Sequence, residues 1–137
     1  MTKNLPLIQD IWAWQTHQIS WSLMGDPTAP TAVILIHGFG ANTNHWRFNQ
    51  PVLAELAPTY AIDLLGFGGS DQPRARLKDE PVTADAVHYG FDLWGQQVAD
   101  VCREVINKPV MLVWNSLGCV GAVRAAQLRG PERFTRV

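Results

Sequence analysis

The sequence predicts an α/β protein with a mostly parallel β-sheet flanked by helices. Three short apolar runs predict strands that are buried on both faces, namely residues 31–36, 60–62 and 110–113. Segments in which apolar residues recur at helical spacing separate these runs along the chain. Strands that alternate with helices in this way indicate a layered α/β architecture rather than an all-β or all-α fold.

The first half of the chain opens on a strict alternation of residues. Ile11 to Met24 alternate in two groups, which predicts two antiparallel strands with a turn near residues 15–18. A loop over residues 25–30 and a buried strand over 31–36 are predicted to follow. A turn over 37–42, a helix over about 44–56 and a short buried strand over 60–62 are predicted next.

The second half begins with a glycine-rich and polar segment, residues 64–90, which predicts a long loop. Residues 91–107 carry apolar positions three and four residues apart, and they predict an amphipathic helix. A buried strand over 110–113 and a helix over 117–128 follow. Gly130 and Pro131 are expected to end that helix.

Composition indicates one globular domain. The 137 residues are 47% hydrophobic and 17% charged, which excludes a disordered chain. The net charge of −1 and the absence of a basic block argue against nucleic acid and anionic membranes as partners. No run is long enough to cross a bilayer, and no signal peptide is evident. Cys102 and Cys119 suit neither a disulfide framework nor a metal site, so we expect reduced thiols in a cytoplasmic protein.

Ser116 is the candidate catalytic residue. It lies between an apolar strand and a helical pattern, where a sharp turn would expose its hydroxyl as a nucleophile. Asn115 tolerates the backbone of a tight turn, and Gly118 lets the helix approach the strand. The backbone N–H of Leu117 would be one donor of an oxyanion hole at the helix N-terminus. The alternative is a serine that only caps the helix.

A second group of residues, His37-Gly38-Phe39-Gly40, follows the first buried strand. Gly38 and Gly40 would let the backbone approach a substrate carbonyl, and the Phe39 N–H is the candidate second oxyanion donor. His37 could be a catalytic base or a structural histidine that binds nearby loops.

A third group runs from Asp63 to Asp71 and contains three glycines. These two aspartates could be catalytic acids, or they could fix the turns of this loop.

The three groups, in this order and at these distances, resemble the N-terminal half of an α/β-hydrolase fold serine hydrolase. The resemblance extends from about Trp12 to the end of the chain, and residues 89–118 look most like the pheophytinase-like esterases. It implies hydrolysis of a small, hydrophobic ester through an acyl-enzyme, without a cofactor or metal. Dehalogenases and epoxide hydrolases of this fold use an aspartate nucleophile, so Ser116 argues against both.

The sequence departs from the family pattern in two ways. Trp114 occupies the first glycine position of the G-x-S-x-G motif, where we expect a large side chain to crowd the neighbouring strands. The family's acid and histidine follow the serine, yet the residues after Ser116 contain no His and no Asp. We therefore expect residues 1–137 to be a partial domain, truncated after the nucleophile helix and weakly active or inactive. An open edge at residues 110–113 would then favour self-association.

Two other functions stay open. The chain could be a pseudohydrolase that binds a ligand or a partner without catalysis, because no base follows the serine. It could also be a dinucleotide-binding βαβ unit, since a strand, Gly38-Phe39-Gly40, a helix and a strand ending at Asp63 follow each other. Thr43 stands where that fingerprint needs its third glycine, and Ser116 has no role in it.

Overall fold

A six-stranded mixed sheet organises the chain. The computed structural model describes residues 5–83, 85–115, 127–128 and 134–136. The sheet has the strand order β1-β2-β4-β3-β7-β8, and a separate pair of two-residue strands is formed by β5 and β6. In chain order the strands are β1 (Ile8–Trp14), β2 (His17–Met24), β3 (Ala32–Ile36), β4 (Thr59–Ile62), β5 (Arg74–Ala75), β6 (Ala86–Val87), β7 (Val110–Trp114) and β8 (Phe134–Arg136).

The pairing confirms the predicted fold class. β4, β3, β7 and β8 pair with one another in parallel, whereas the β1–β2 and β2–β4 pairs are antiparallel. The β1–β2 hairpin turns at Gln15, whose φ of 54° lies in the left-handed region. All five residues of β3 are buried, as expected for a central strand covered on both faces.

The predicted helix over residues 44–56 is replaced by two shorter elements. A 3₁₀ turn spans Thr43–Trp46, and helix α1 spans only Gln50–Ala54. Pro51 lies in the first turn of α1. Proline has no N–H to donate to a preceding turn, so it favours a new helix start over continuation of an existing helix.

Helix α2 (Phe91–Val101) continues into a π-helical turn (Cys102–Ile106), and the chain then reverses at Asn107 with φ 51°. These elements match the predicted helix over 91–107. The predicted loop over 64–90 is wrong at β5 and β6, which pair in parallel within it. The predicted helix over 117–128 lies outside the described residues apart from 127 and 128, which are helical.

The sheet separates two apolar clusters. Even-numbered positions of β3 and β7, such as Ile34 and Leu112, face α2 in the larger cluster. Odd-numbered positions of β3, Val33 and Leu35, face the 3₁₀ turn and α1, together with Trp46. Strand side chains alternate between the two faces, so this division follows directly from the sequence.

The expected open edge at residues 110–113 needs correction. The backbone of β8 pairs in parallel with the first part of β7, at Val110 and Met111, with a shift of register between them. β8 therefore covers the start of β7.

No helix among the described residues is long and apolar enough to cross a membrane.

Candidate functional site

The candidate site lies at the carboxyl ends of three adjacent parallel strands. His37 follows β3, Asp63 follows β4, and Asn115 follows β7. Because β4, β3 and β7 are neighbours in this order, these three ends meet at one edge of the sheet. Ligands of open α/β sheets bind at this edge.

Asn115 is the last described residue before the candidate nucleophile. Its backbone N–H donates to the carbonyl of Ile36 at 3.1 Å, which continues the β3–β7 ladder by one residue. Its side-chain Nδ2 lies 3.1 Å from Nε2 of His45. The predicted site residues Ser116, Leu117 and Gly118 lie outside the described residues.

His37 is buried, and both of its ring nitrogens are engaged. Nδ1 lies 2.8 Å from the carbonyl oxygen of Gly38, and Nε2 accepts a hydrogen bond from the Leu64 N–H at 3.0 Å. An acceptor at Nε2 and a donor at Nδ1 define a neutral imidazole. Burial lowers the pKa of His37 below its ordinary value. This arrangement favours the structural alternative for His37, because it ties the loop after β3 to the loop after β4.

The loop after His37 presents Phe39 to solvent. The Ala41 N–H donates to the Gly38 carbonyl at 3.1 Å, and Gly40 has φ +76°, which a tight turn requires and glycine adopts most readily. Among the described residues, none accepts a hydrogen bond from the Phe39 N–H. The Phe39 side chain is 76% exposed and packs edge-on against Phe67, with ring centroids 5.5 Å apart.

Asp63 fixes two loops at once. Its buried carboxylate accepts hydrogen bonds from the Thr43 N–H at 2.8 Å and the Gly69 N–H at 2.9 Å. Its carbonyl accepts from the Ser70 hydroxyl at 2.6 Å. Asp71 likewise accepts from the Gln18 N–H at 2.8 Å. These contacts favour the loop-fixing alternative for both aspartates, since both oxygens of the buried Asp63 carboxylate already accept a backbone N–H.

Trp114 does not disrupt the sheet. The β3–β7 register continues through the pair Ile36 and Trp114. The side chain is partly buried and packs against the larger apolar cluster on the α2 face. The expected crowding of neighbouring strands is therefore wrong in this respect, because β7 keeps its register and the indole lines a space beside α2.

That space is a small aromatic cavity of about 50 Å³. His37 and Leu64, both buried, form its floor, and Phe39 and Phe91 lie at its rim. Phe67, Trp94 and Trp114 complete its walls. A more open groove of about 450 Å³ begins on the other side of Phe39, Phe67 and Trp94.

The comparisons with known proteins place this geometry in a family. Residues 31–137 match the family model described as alpha/beta hydrolase fold. The chain belongs to the alpha/beta hydrolase fold family. Within the residues that the structure describes, no group of three or more His, Cys, Asp or Glu side chains could hold a metal ion.

Curated members of the alpha/beta hydrolase fold family are similar over most of this chain. The 1-acylglycerol-3-phosphate O-acyltransferase ABHD5 of Rattus norvegicus is 32% identical over 119 residues, which is 85% of this chain and 31% of that protein. The 2-hydroxymuconate semialdehyde hydrolase of Pseudomonas sp. (strain CF600) is 33% identical over 115 residues, which is 82% of this chain and 36% of that protein. The chain thus spans about a third of the length of these relatives.

Solved structures with the alpha/beta hydrolase fold superpose well. A membrane phospholipase A, described as a novel bacterial virulence factor, has a TM-score of 0.75 and 30% identity, over 93% of this chain and 37% of that one. Cfl2 from Burkholderia cenocepacia has a TM-score of 0.78 at 21% identity, over 95% of this chain and 40% of that one. The second likeness concerns the fold alone.

Sequence reasoning missed three residues of this alpha/beta hydrolase site. Phe67 and Trp94 form the aromatic wall, with ring centroids 5.9 Å apart, and the Trp94 N–H donates to the Leu65 carbonyl at 3.0 Å. His45 contacts Asn115 across 70 positions of sequence. The sequence did contain an indication of Trp94, since this tryptophan is one of the apolar positions of the predicted helix. His45 had none, because nothing local in the sequence marks a contact with so distant a residue.

Proposed function

We propose that this chain forms the nucleophile-bearing part of a serine ester hydrolase. The observation that supports it most is the end of β7. Asn115, the residue before Ser116 in the chain, is hydrogen-bonded to Ile36 and so lies beside the loop that begins at His37. A nucleophile there would lie next to the Phe39 N–H, which has no described acceptor.

In the proposed reaction, the Ser116 hydroxyl oxygen attacks the ester carbonyl carbon. The N–H groups of Phe39 and Leu117 stabilise the negative charge that develops on the carbonyl oxygen. The C–O bond to the alcohol then breaks, the alcohol leaves with a proton, and an acyl-serine remains. Attack by water releases the acid and restores the serine. No cofactor takes part in these steps.

The general base is not assigned to a described histidine. His37 uses both ring nitrogens within the fold, so it has no free nitrogen to take the serine proton. In this fold the acid and the histidine follow the serine in the chain, and residues 117–137 contain neither His nor Asp. Because the chain spans about a third of its curated relatives, we propose that these 137 residues are part of a longer domain that supplies both groups.

The aromatic lining of the site supports a hydrophobic small-molecule ester as the substrate. The finer likeness to pheophytinase-like esterases remains part of this proposal. The dinucleotide alternative is disfavoured, because the Asp63 carboxylate that would bind a ribose is buried and accepts two backbone N–H groups.

Labelling with a fluorophosphonate tests the proposal, because this reagent phosphonylates activated serines. The chain and the full product of its gene are each treated, and the labelled peptide is mapped by mass spectrometry. We expect label on Ser116 in the full product, weaker label in the chain, and none in the matched variant Ser116→Ala. Absence of label on Ser116 in both proteins would contradict a hydrolase site.

A non-catalytic binding protein is the second candidate. The absence of His and Asp from residues 117–137 favours it. It predicts that the full gene product leaves Ser116 unlabelled but is stabilised against heat by hydrophobic esters. Thermal shift measurements with p-nitrophenyl butyrate therefore distinguish it from the hydrolase, which would release nitrophenolate in the same experiment.

A further inference from the structure

We propose that Trp114 limits the acyl group that the site accepts to a small apolar one, of roughly four heavy atoms. This inference rests on the proposed function, because it assigns the aromatic cavity to the acyl part of the ester. Trp114 matters because it occupies a position where the G-x-S-x-G motif has glycine. A glycine there would leave the space of an entire indole open.

The cavity has a defined size. Its volume is about 50 Å³. Because a water-sized group needs roughly 10–15 Å³ by this measure, the cavity accommodates about three to five heavy atoms. That suits a propionyl or butyryl chain. A cavity of about 150 Å³ is needed to hold benzene, so an aromatic or long acyl group does not fit behind the Trp114 indole.

The walls of the cavity are held in place by ring contacts. Phe67 packs edge-on against His37 at 5.4 Å between centroids, and it contacts Trp94 at 5.9 Å. Phe91 packs edge-on against Trp94 at 6.4 Å. The Trp94 indole is further fixed by its hydrogen bond to the Leu65 carbonyl. Such contacts leave the rings little freedom to move aside for a larger group.

The position of Phe39 connects the cavity to the proposed chemistry. Its side chain lies at the rim, and its N–H is the proposed oxyanion donor. An ester whose carbonyl oxygen is bound at that N–H has its acyl chain within reach of the cavity. The wider groove beyond Phe39, Phe67 and Trp94 remains available for the alcohol part, which Trp114 does not contact.

Transfer of acyl groups to Ser116 tests this inference. p-Nitrophenyl butyrate and p-nitrophenyl octanoate share one leaving group and differ only in acyl length. In each transfer the serine oxygen bonds to the carbonyl carbon, nitrophenolate departs, and the serine proton passes to solvent or base. The rate is followed by the mass of the intact protein, and the modified residue is identified by peptide mapping.

We expect the unmodified chain to favour butyryl over octanoyl roughly tenfold or more, which is the discrimination that methylenes without space typically produce. Trp114→Ala should lower this ratio at least about tenfold, and Trp114→Phe should lower it less. Phe48→Ala serves as the control, because Phe48 is an aromatic residue that is 74% exposed and lies outside the cavity. Its ratio should equal that of the unmodified chain.

The failure of this inference is distinguishable from the failure of the proposed function. If Ser116 is acylated but the ratio of butyryl to octanoyl transfer rates is the same in the unmodified chain and in Trp114→Ala, the size limit is wrong and the hydrolase proposal stands. If Trp114→Ala does not fold, Trp114→Phe decides the question in the same assay.

If neither ester acylates Ser116 in the chain or in the full product of its gene, the hydrolase proposal fails, and binding decides the size limit. Butyramide and octanamide are then titrated while the indole N–H signal of Trp94 is observed by NMR. The measured quantity is the affinity for octanamide divided by the affinity for butyramide. If Trp114→Ala raises this ratio roughly tenfold, the size limit is supported. A ratio that does not change overturns it.

Discussion

Replacement of His37 should change both the stability of the fold and its dependence on pH. Two variants separate the contributions. His37→Ala leaves the buried Leu64 N–H without an acceptor, while His37→Gln can offer its side-chain carbonyl to that N–H. The Gly38 carbonyl keeps a donor in either variant, because the Ala41 N–H also binds it.

The magnitudes follow from the contacts. An unsatisfied buried N–H costs about 1–3 kcal/mol, and the lost hydrogen bond to Gly38 about 0.5–1.5 kcal/mol. Loss of the edge-on contact with Phe67 adds about 0.5–1.5 kcal/mol. We therefore expect His37→Ala to lower the free energy of unfolding by about 2–6 kcal/mol and His37→Gln by about 1–3 kcal/mol. Urea denaturation followed by tryptophan fluorescence measures both.

The pH dependence has a definite sign. Burial lowers the pKa of His37 in the folded chain, while the unfolded chain titrates near 6.5. As the pH falls below that value, the unfolded state binds a proton that the folded state does not, so the stability contributed by neutral His37 is lost. His37→Gln has no such loss. The difference in free energy of unfolding between the unmodified chain and His37→Gln should therefore shrink from pH 7.5 to pH 5.5, by up to about 1.4 kcal/mol. A deficit that is equal at both pH values would refute a buried, neutral His37.

Two further pairs of variants test the loops and the hairpin. Gly68→Ala should lower the free energy of unfolding by more than about 2 kcal/mol, because its Cβ would lie 2.4 Å from the Asp63 carboxyl carbon at a φ of +54°. Gly90→Ala, which has open space around it but replaces the N-cap of α2, should cost clearly less, about 0.5–1 kcal/mol, in the same denaturation assay. Trp14→Phe should cost about 1.5–3 kcal/mol, because its buried indole donates to a carboxylate of α2 at 2.8 Å. Trp12→Phe, which loses a similar bond to an exposed carboxylate, should cost clearly less, and equal costs would contradict this reasoning.

Periodicity in the sequence was enough to predict five of the six strands of the central sheet, and only β8 was not predicted. The alternation around Trp12 and Trp14 identified the hairpin, and the apolar run that became β3 identified a strand buried on both faces. The break between the 3₁₀ turn and α1 was missed, since helical periodicity outweighed the one residue, Pro51, that favours a new helix start. β5 and β6 could not be found, because two residues are too few to show a period of two.

The site was predictable only where one residue type restricts the backbone or the chemistry. The glycines around Phe39 marked a tight turn, which the φ of +76° at Gly40 bears out, and Asp63 was recognised as a residue that could fix a turn. The direction of the Trp114 side chain depends on which face of the sheet α2 covers, and that is a property of the whole fold. The contact of His45 with Asn115 depends on the alignment of β3 with β7, which no local pattern encodes.

The strand order of the sheet also determines when each part of the chain can fold during synthesis. β3 is made early, yet one of its two neighbours, β7, follows only after about 75 more residues, which a ribosome adds in roughly 4–15 s. Until then the β1–β2–β4–β3 portion can assemble, but one side of β3 keeps its backbone groups and apolar side chains uncovered. A nascent chain stalled before Val110 would therefore be a substrate for chaperones that bind extended apolar segments, whereas one whose Trp114 has left the ribosome can pair that side of β3.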